Sequence, residues 1–271
     1  MEKIIEVLGI HFIYPDGTYA LKDIELTICQ GEFVAIIGQN GSGKTTLAKH
    51  FNGLYKPTRG KVIVKGIDTR NSTVAELARY VGYVFQNPDH QIFSLSVFDE
   101  VSFGLRNLGL TEKEISIRVK DVLKQMRLSG KELDNPLLLS KGEKQRLAVA
   151  SVLAMRPEVL ILDEPTTGQD WKNICILMDL INELNQKFKM TIIVITHNMH
   201  VVTRWTRRTI VMADGRIISD APTRETFAKS DVLKKASITP PQITRLAGEY
   251  GLGYDVFTVK EFIHRLFEVK S

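Results

Sequence analysis

Hydrophobic positions along the chain alternate between runs of strand length and stripes of helical period. Residues 1–30 read as strands around a loop at Tyr14-Pro15-Asp16-Gly17, and Glu32 to Ile37 is a short buried strand running directly into glycines. A helix follows from Thr45 to about Gly53. Lys61 to Lys65 alternates like a strand, Thr73 with Glu76 forms a capping box opening a helix to about Tyr80, and Gly82 to Phe85 is strand-like again. From about residue 87 to 156 the period changes: Ser96 to Leu108, Glu112 to Leu128 and Lys141 to Met155 all predict helices. The second of these carries Ile115, Val119, Val122 and Met126 on one face. Strand-like runs return at Val159 to Leu162 and Thr191 to Ile195, separated by a helix from Trp171 to about Lys187 with Ile174, Leu177, Ile181 and Leu184 at helical spacing. This alternation predicts an α/β fold with a parallel sheet, an N-terminal antiparallel β portion and a helical insertion.

A short strand at Arg216 to Ser219 and the pair Ala221-Pro222 mark a boundary, giving a main domain over 1–222 and a C-terminal α/β extension over 223–271. In the extension, Pro240-Pro241 precedes a helical stretch through Ile243 and Leu246, and Thr258 with Glu261 opens a last helix carrying Phe262, Leu266 and Phe267. These residues are too apolar for a solvated appendage, so the extension is expected to hold two subunits together.

With 271 residues and 44% hydrophobic composition the chain can bury a full core. No apolar run approaches the roughly 18 to 20 residues needed to cross a bilayer. The N-terminus has neither a basic region nor a long apolar one, so secretion is not expected. Cys29 and Cys175 show no metal or redox spacing, which suits a reducing cytoplasm. The net charge of +5 is spread along the chain, which argues against a nucleic-acid partner.

Gly38-Gln39-Asn40-Gly41-Ser42-Gly43-Lys44-Thr45, followed by Thr46, matches a phosphate-binding loop set between a strand and a helix. Its glycines let backbone N–H groups turn toward a phosphate, Lys44 reaches the β and γ phosphates, and the Thr45 hydroxyl suits Mg²⁺. Val159 to Leu162 is an apolar strand ending in Asp163-Glu164. Asp163 is expected to orient Mg²⁺ and Glu164 to polarise the attacking water. ATP and Mg²⁺ are therefore the expected cofactors.

Between these elements, Leu139-Ser140-Lys141-Gly142-Glu143-Lys144-Gln145-Arg146 resembles the signature sequence of the ABC ATPase family. Other elements of that family follow in order. Gln86 resembles the glutamine loop and a Mg²⁺ ligand, Thr167-Gly168-Gln169-Asp170 the loop crossing the dimer interface, and His197 the switch histidine. Tyr14 sits where the family stacks an aromatic ring on adenine. The resemblance implies a P-loop NTPase of ABC type with a RecA-like core. Two subunits then meet head to tail, Ser140 and Gly142 of one closing on the γ-phosphate held by the other. Lys141 departs from the family pattern, placing a charge where close backbone approach is expected.

Three features resemble the energy-coupling-factor importers of vitamins and of cobalt or nickel ions: Tyr14-Pro15-Asp16-Gly17, the run Gln86-Asn87-Pro88-Asp89-His90-Gln91-Ile92-Phe93, and the Pro240-Pro241 tail. This implies a peripheral protein on the cytoplasmic face of the membrane. Its partners would be a second ATPase subunit, homo- or heterodimeric, a membrane-embedded coupling subunit and a substrate-binding membrane subunit. Pro88 to Leu108 is the expected socket for the coupling subunit, with Ile92, Phe93, Val97, Phe98 and Phe103 as its apolar lining and Asp99 and Glu100 pairing with partner arginines. Other ABC importer branches or a soluble ABC ATPase are the alternatives. A DNA-repair type would need a long coiled coil between Lys44 and Ser140, where only about 95 residues without a heptad run intervene.

Overall fold

The computed structural model describes residues 2–268. β1 (Lys3–Ile13) and β2 (Tyr19–Cys29) pair antiparallel, and β3 (Phe33–Ile37) then enters the middle of a second sheet and leads into α1 (Lys44–Phe51). β4 (Arg59–Val64) and β5 (Ile67–Asp68) return to the first sheet, whose order is β2-β1-β4-β5. After the single turn α2 (Val74–Leu77), β6 (Val81–Val84) takes the edge of the second sheet. The insertion supplies α3 (Val97–Asn107), α4 (Glu112–Gln125) and α5 (Lys141–Leu153). The chain continues through β7 (Val159–Asp163), α6 (Trp171–Phe188), β8 (Thr191–Ile195), α7 (Met199–Trp205), β9 (Arg208–Ala213) and β10 (Arg216–Pro222).

The second sheet runs β10-β9-β3-β8-β7-β6, parallel except for β10. Every residue of β3, β7 and β8 is buried, as befits strands covered on both faces. Alternate residues of β3 serve two cores: Phe33, Ala35 and Ile37 join the helices, Val34 and Ile36 join α1 and the first sheet. Each such Ile or Val contributes roughly 1.5–3 kcal/mol by leaving water. This clamping fixes the carboxyl ends of β3, β7 and β8 side by side, the edge where α/β sheets hold ligands. Among the described residues no helix is long and apolar enough to cross a membrane.

Three expectations need correction. The helix expected to run to about Tyr80 stops at Leu77, because Tyr80 N–H turns back to the Leu77 carbonyl so that β6 can begin at Val81. The strand expected to end at Ser219 continues to Pro222, paired along β9. The extension expected to be α/β is helical throughout its described residues: α8 (Thr223–Ala228), α9 (Ser230–Lys235), α10 (Gln242–Glu249) and α11 (Val259–Glu268).

Packing also divides the extension differently from the Ala221-Pro222 boundary. Phe227, Leu233 and Ala236 belong to the main core, and the Thr223 hydroxyl bonds those of Thr206 and Thr209. Ala247, Leu252 and Val256 form a separate small cluster with Phe262 and Leu266 against it. The outer side of this unit leaves Leu246, Tyr250, Val259 and Ile263 exposed.

Candidate functional site

The loop after β3 is built around positions that only glycine fills. A side chain on Gly38 would lie 2.2 Å from the Met212 carbonyl oxygen, and one on Gly43, which precedes α1 at φ 100°, would lie 2.9 Å from the Ala20 carbonyl oxygen. Gly43 gives α1 no side-chain cap, so the first N–H groups of the helix are left for a ligand. Lys44 is buried and curls over the loop, donating to the carbonyls of Gly38 and Gln39, each at 2.9 Å. Burial lowers its pKa, and the charges of Glu164 and Asp163 act in the opposite direction. Ser42 Oγ is buried without a hydrogen-bond partner. A phosphate fits such a cradle, supplying the acceptor that the loop lacks.

Thr45 Oγ1 donates to Asp163 Oδ1 at 3.1 Å, and Tyr83 Oη donates to Asp163 Oδ2 at 2.7 Å. Burial first, and then the Asp163 charge, push the Tyr83 phenol far above its ordinary pKa, so it remains a donor. Tyr83 was not singled out from the sequence; the one signal was a phenol inside the otherwise apolar strand β6. Thr45 and Asp163 form a hard oxygen pair of the kind Mg²⁺ takes alongside phosphate and water. Gln86 is exposed just beyond β6. Among the described residues no group of three or more His, Cys, Asp or Glu side chains stands ready for a metal.

Glu164 follows Asp163 with φ 48°, a left-handed conformation that costs a residue with a Cβ roughly 1–2 kcal/mol. Its N–H donates to the Ile195 carbonyl, which holds the strained turn in place. His197, at the end of β8, puts Nδ1 2.8 Å from Glu164 Oε2. Apart from this contact, Oε2 is buried with no hydrogen-bond donor. A carboxylate oxygen in this condition is suited to receive a proton from a bound water. Tyr14 hydrogen-bonds Thr46 Oγ1 at 2.8 Å and packs edge-on against Phe12 and Tyr55, beside the first turn of α1. The remaining loop residues, Gln39 and Asn40, line a cavity of about 370 Å³ with Gly38, His197 and the segment Ser237–Thr239. The last of these, from the extension, is invisible to local sequence reasoning.

Ser140 and Gly142 stand at the start of α5. Ser140 is exposed and caps α5 in a reciprocal box: its Oγ accepts from Glu143 N–H and donates to Glu143 Oε2. Those bonds, with the Lys131 ammonium, hold the Glu143 carboxyl down to about 2. Gly142 is buried against α6, where a Cβ would meet Asn173 Oδ1 at 2.6 Å. Asp170, exposed, caps α6 through Asn173 N–H at 2.8 Å and bonds its side-chain amide as well. Lys141, whose charge stands where the family pattern expects close backbone approach, has its ammonium beside Gly168 of its own chain.

The segment after Gln86 also departs from expectation. Glu100, assigned above to partner arginines, is buried, and its Oε2 accepts from the N–H groups of Phe93 and Ser94. Asp99 bonds Ser96 and Arg106 within the chain. Val97 is in the core, and Ile92 and Phe98 pack against it. Phe93, Leu95 and Phe103 stay exposed, with the Phe93 and Phe103 rings edge to face at 4.9 Å.

The protein-family model for ABC transporters matches residues 21–167. The chain is 50% identical over 262 residues to the ABC transporter ATP-binding protein TTE1589 of Caldanaerobacter subterraneus subsp. tengcongensis, covering 97% of this chain and 46% of that protein. It is 42% identical over 245 residues to the energy-coupling factor transporter ATP-binding protein EcfA of Methanocaldococcus jannaschii, covering 90% of this chain and 88% of that one. Several of the curated relatives are much longer, the chain spanning 46%, 40% and 39% of three of them. Among solved structures, cbiO1 from Clostridium perfringens, part of the ABC transporter complex cbiONQ, superposes with a TM-score of 0.80 at 39% identity, over 92% of this chain and 100% of that one. The cassette MJ0796, in a dimer bound to ADP and Pi, superposes at 0.74 and 31% identity, over 81% and 99%. With its phosphate loop, Asp163-Glu164 turn and capped signature helix on one scaffold, the chain belongs to the ABC transporter family and is an ATP-binding cassette of ABC ATPase type.

Proposed function

We propose that two such cassettes sandwich ATP head to tail and hydrolyse it to drive an importer of the energy-coupling-factor class, carrying a vitamin or a transition-metal ion such as cobalt or nickel. The observation that carries this reading is Ser140 at an exposed helix N-terminus, its side chain bonded only within its own capping box, beside a P-loop cradle that is itself buried. In the proposed reaction the P-loop and Lys44 hold the β and γ phosphates. Glu164 takes the proton of the attacking water, and His197 steadies the γ-phosphate and the Glu164 carboxylate. Thr45, Asp163 and Gln86 would hold Mg²⁺, which would supply positive charge against the phosphates. Ser140 and the α5 N-terminus of the second chain complete the site, while Asp170, in the loop proposed to run along the interface, caps α6 of its own chain. Closing and reopening the sandwich is the power stroke.

The similarity to EcfA and cbiO1 supports the importer class and a peripheral position at the cytoplasmic face of the membrane. The partners proposed are a second cassette, a membrane-embedded coupling subunit and a substrate-binding membrane subunit. The exposed Phe93, Leu95 and Phe103 offer the apolar surface on which a cytoplasmic helix of the coupling subunit can seat. Replacing Phe93 and Phe103 with serine should abolish copurification with a membrane subunit and leave ATP binding by the isolated chain unchanged. Normal assembly of that variant would move the socket elsewhere. The outer face of residues 242–268 is proposed to join two cassettes in the absence of ATP. A chain ending at Thr239 should therefore be monomeric without nucleotide by light scattering.

A further inference from the structure

The geometry points to Gln91 as a positioning residue that ties the Gln86 loop to the signature helix, so that nucleotide held by one chain sets how that chain presents Ser140 to its partner. The inference rests on the head-to-tail sandwich proposed above and adds the part that would link its two halves within one chain.

The Gln91 side chain bridges two elements. Its Oε1 accepts from Phe85 N–H at 3.1 Å, the residue immediately before Gln86, and its Nε2 donates to the Ala148 carbonyl at 2.8 Å and to Ser151 Oγ at 3.3 Å in the middle of α5. An amide suits this place because it presents an acceptor to the strand end and a donor to the helix at once. An ionised glutamate would turn an oxygen against the Ala148 carbonyl, leucine offers neither group, and asparagine is one methylene short.

The intervening turn is stiff. Asn87 Oδ1 accepts from Asp89 N–H, Pro88 is buried, and the Pro88 carbonyl accepts from Ile92 N–H. Asp89 makes a second strut to α5 through Lys144 at 2.9 Å, one helical turn from Ser140. Buried Glu100 of α3 holds the far end of the segment at Phe93 and Ser94. Residues 85–94 thus form a bracket between β6, α5 and α3, with the exposed Gln86 at its entry. The Asp89–Lys144 pair is half in water and counts for less than the Gln91 bonds. Ser140 lies eight residues, or about 12 Å along the helix, from the Ala148 anchor, so a small rotation at the anchor becomes a displacement at the signature.

The test places spin labels at Leu54, on the nucleotide side, and Ile117 on α4, both exposed, in a chain with Cys29 and Cys175 replaced by alanine. In the parent, MgATP should shift and narrow the distance distribution. In Gln91→Leu it should stay broad and indifferent to ATP, with ATP affinity and KM within about twofold of the parent and kcat about tenfold lower. Gln91→Glu should behave like the leucine variant. If Gln91→Leu does not fold, Gln91→Met keeps the length and carries the same expectation. An ATP-driven shift and a kcat preserved in the variant would overturn the proposal, as would a parent that shows no shift or a parallel collapse of KM, kcat and thermal stability. The distance measurement needs only one chain. A sandwich that never forms would therefore show itself separately, as a parent chain that shifts on ATP and stays monomeric.

Discussion

The two halves of the candidate ATP site are built in opposite ways. The P-loop half is buried and stitched through the core: Lys44 on the loop carbonyls, Thr45 and Tyr83 on Asp163, and Glu164 in a strained turn held by β8. The signature half is exposed and self-contained, Ser140 being engaged only by the capping box of its own helix. A half-site that binds ligand by itself needs buried, prearranged donors, whereas one that closes on another molecule must remain at a surface. The different construction predicts different responses to substitution.

Glu164→Gln gives the largest expected effect. Turnover should fall about 10²-fold or more while ATP binding persists, since the amide keeps the shape of the turn and loses the base. Hydrolysis near the parent rate would remove Glu164 from its role.

His50 makes the buried half acid-sensitive. It is fully buried in α1, with Nδ1 on the Thr46 carbonyl, Nε2 without a partner, and Phe12 and Tyr55 against its ring. Burial lowers its pKa to about 4 from 6.5. The native chain therefore holds a neutral ring that the unfolded chain protonates, and the associated stability is complete above pH 6.5 and lost as pH falls from 6.5 toward 4. The loss should reach roughly 3 kcal/mol at the acid end. Urea unfolding of His50→Phe across that range should show a correspondingly flatter pH dependence. An unchanged slope would mean that other groups govern it.

Ser140→Ala removes the α5 cap, worth about 1 kcal/mol, and should lower Tm by about 2–4 °C. ATP affinity of the single chain should not change, because Ser140 is not in that chain's own cradle. Lys141→Gly should do least: its ammonium lies on Gly168 and not over the α5 N-terminus, so hydrolysis should change by no more than about twofold, in line with an exposed side chain free to move. A large gain in turnover would show that Lys141 does obstruct the composite site.

The P-loop half was legible in the sequence because its chemistry is local: glycines, Lys44 and Thr45 are contiguous, and Asp163-Glu164 ends a recognisable strand. Ser140 with Glu143 and Asp170 with Asn173 are likewise short-range caps. What escaped notice depends on distant pieces of chain meeting. Tyr83 gains its role from Asp163, Gln91 from Ala148, and Ser237–Thr239 from the P-loop. Glu100 was misassigned for the same reason: an acid near a helix start reads as surface charge until the folded Phe93-Ser94 backbone turns its N–H groups onto it. The extension was misjudged at Pro222 because a proline marks the end of a strand without marking the end of a core. Phe227, Leu233 and Ala236 carry that core onward.

The central claim is that one chain's cradle needs the other chain's signature, and complementation tests it most directly. Lys44→Ala chains lack a working cradle and Ser140→Arg chains lack a working signature, so each should be inactive alone. Mixed one to one, they should regain roughly a quarter of the parent turnover, because random pairing makes half of the dimers heterotypic with one intact composite site each. No recovery on mixing, or a Ser140→Arg chain that hydrolyses ATP by itself at the parent rate, would contradict the account.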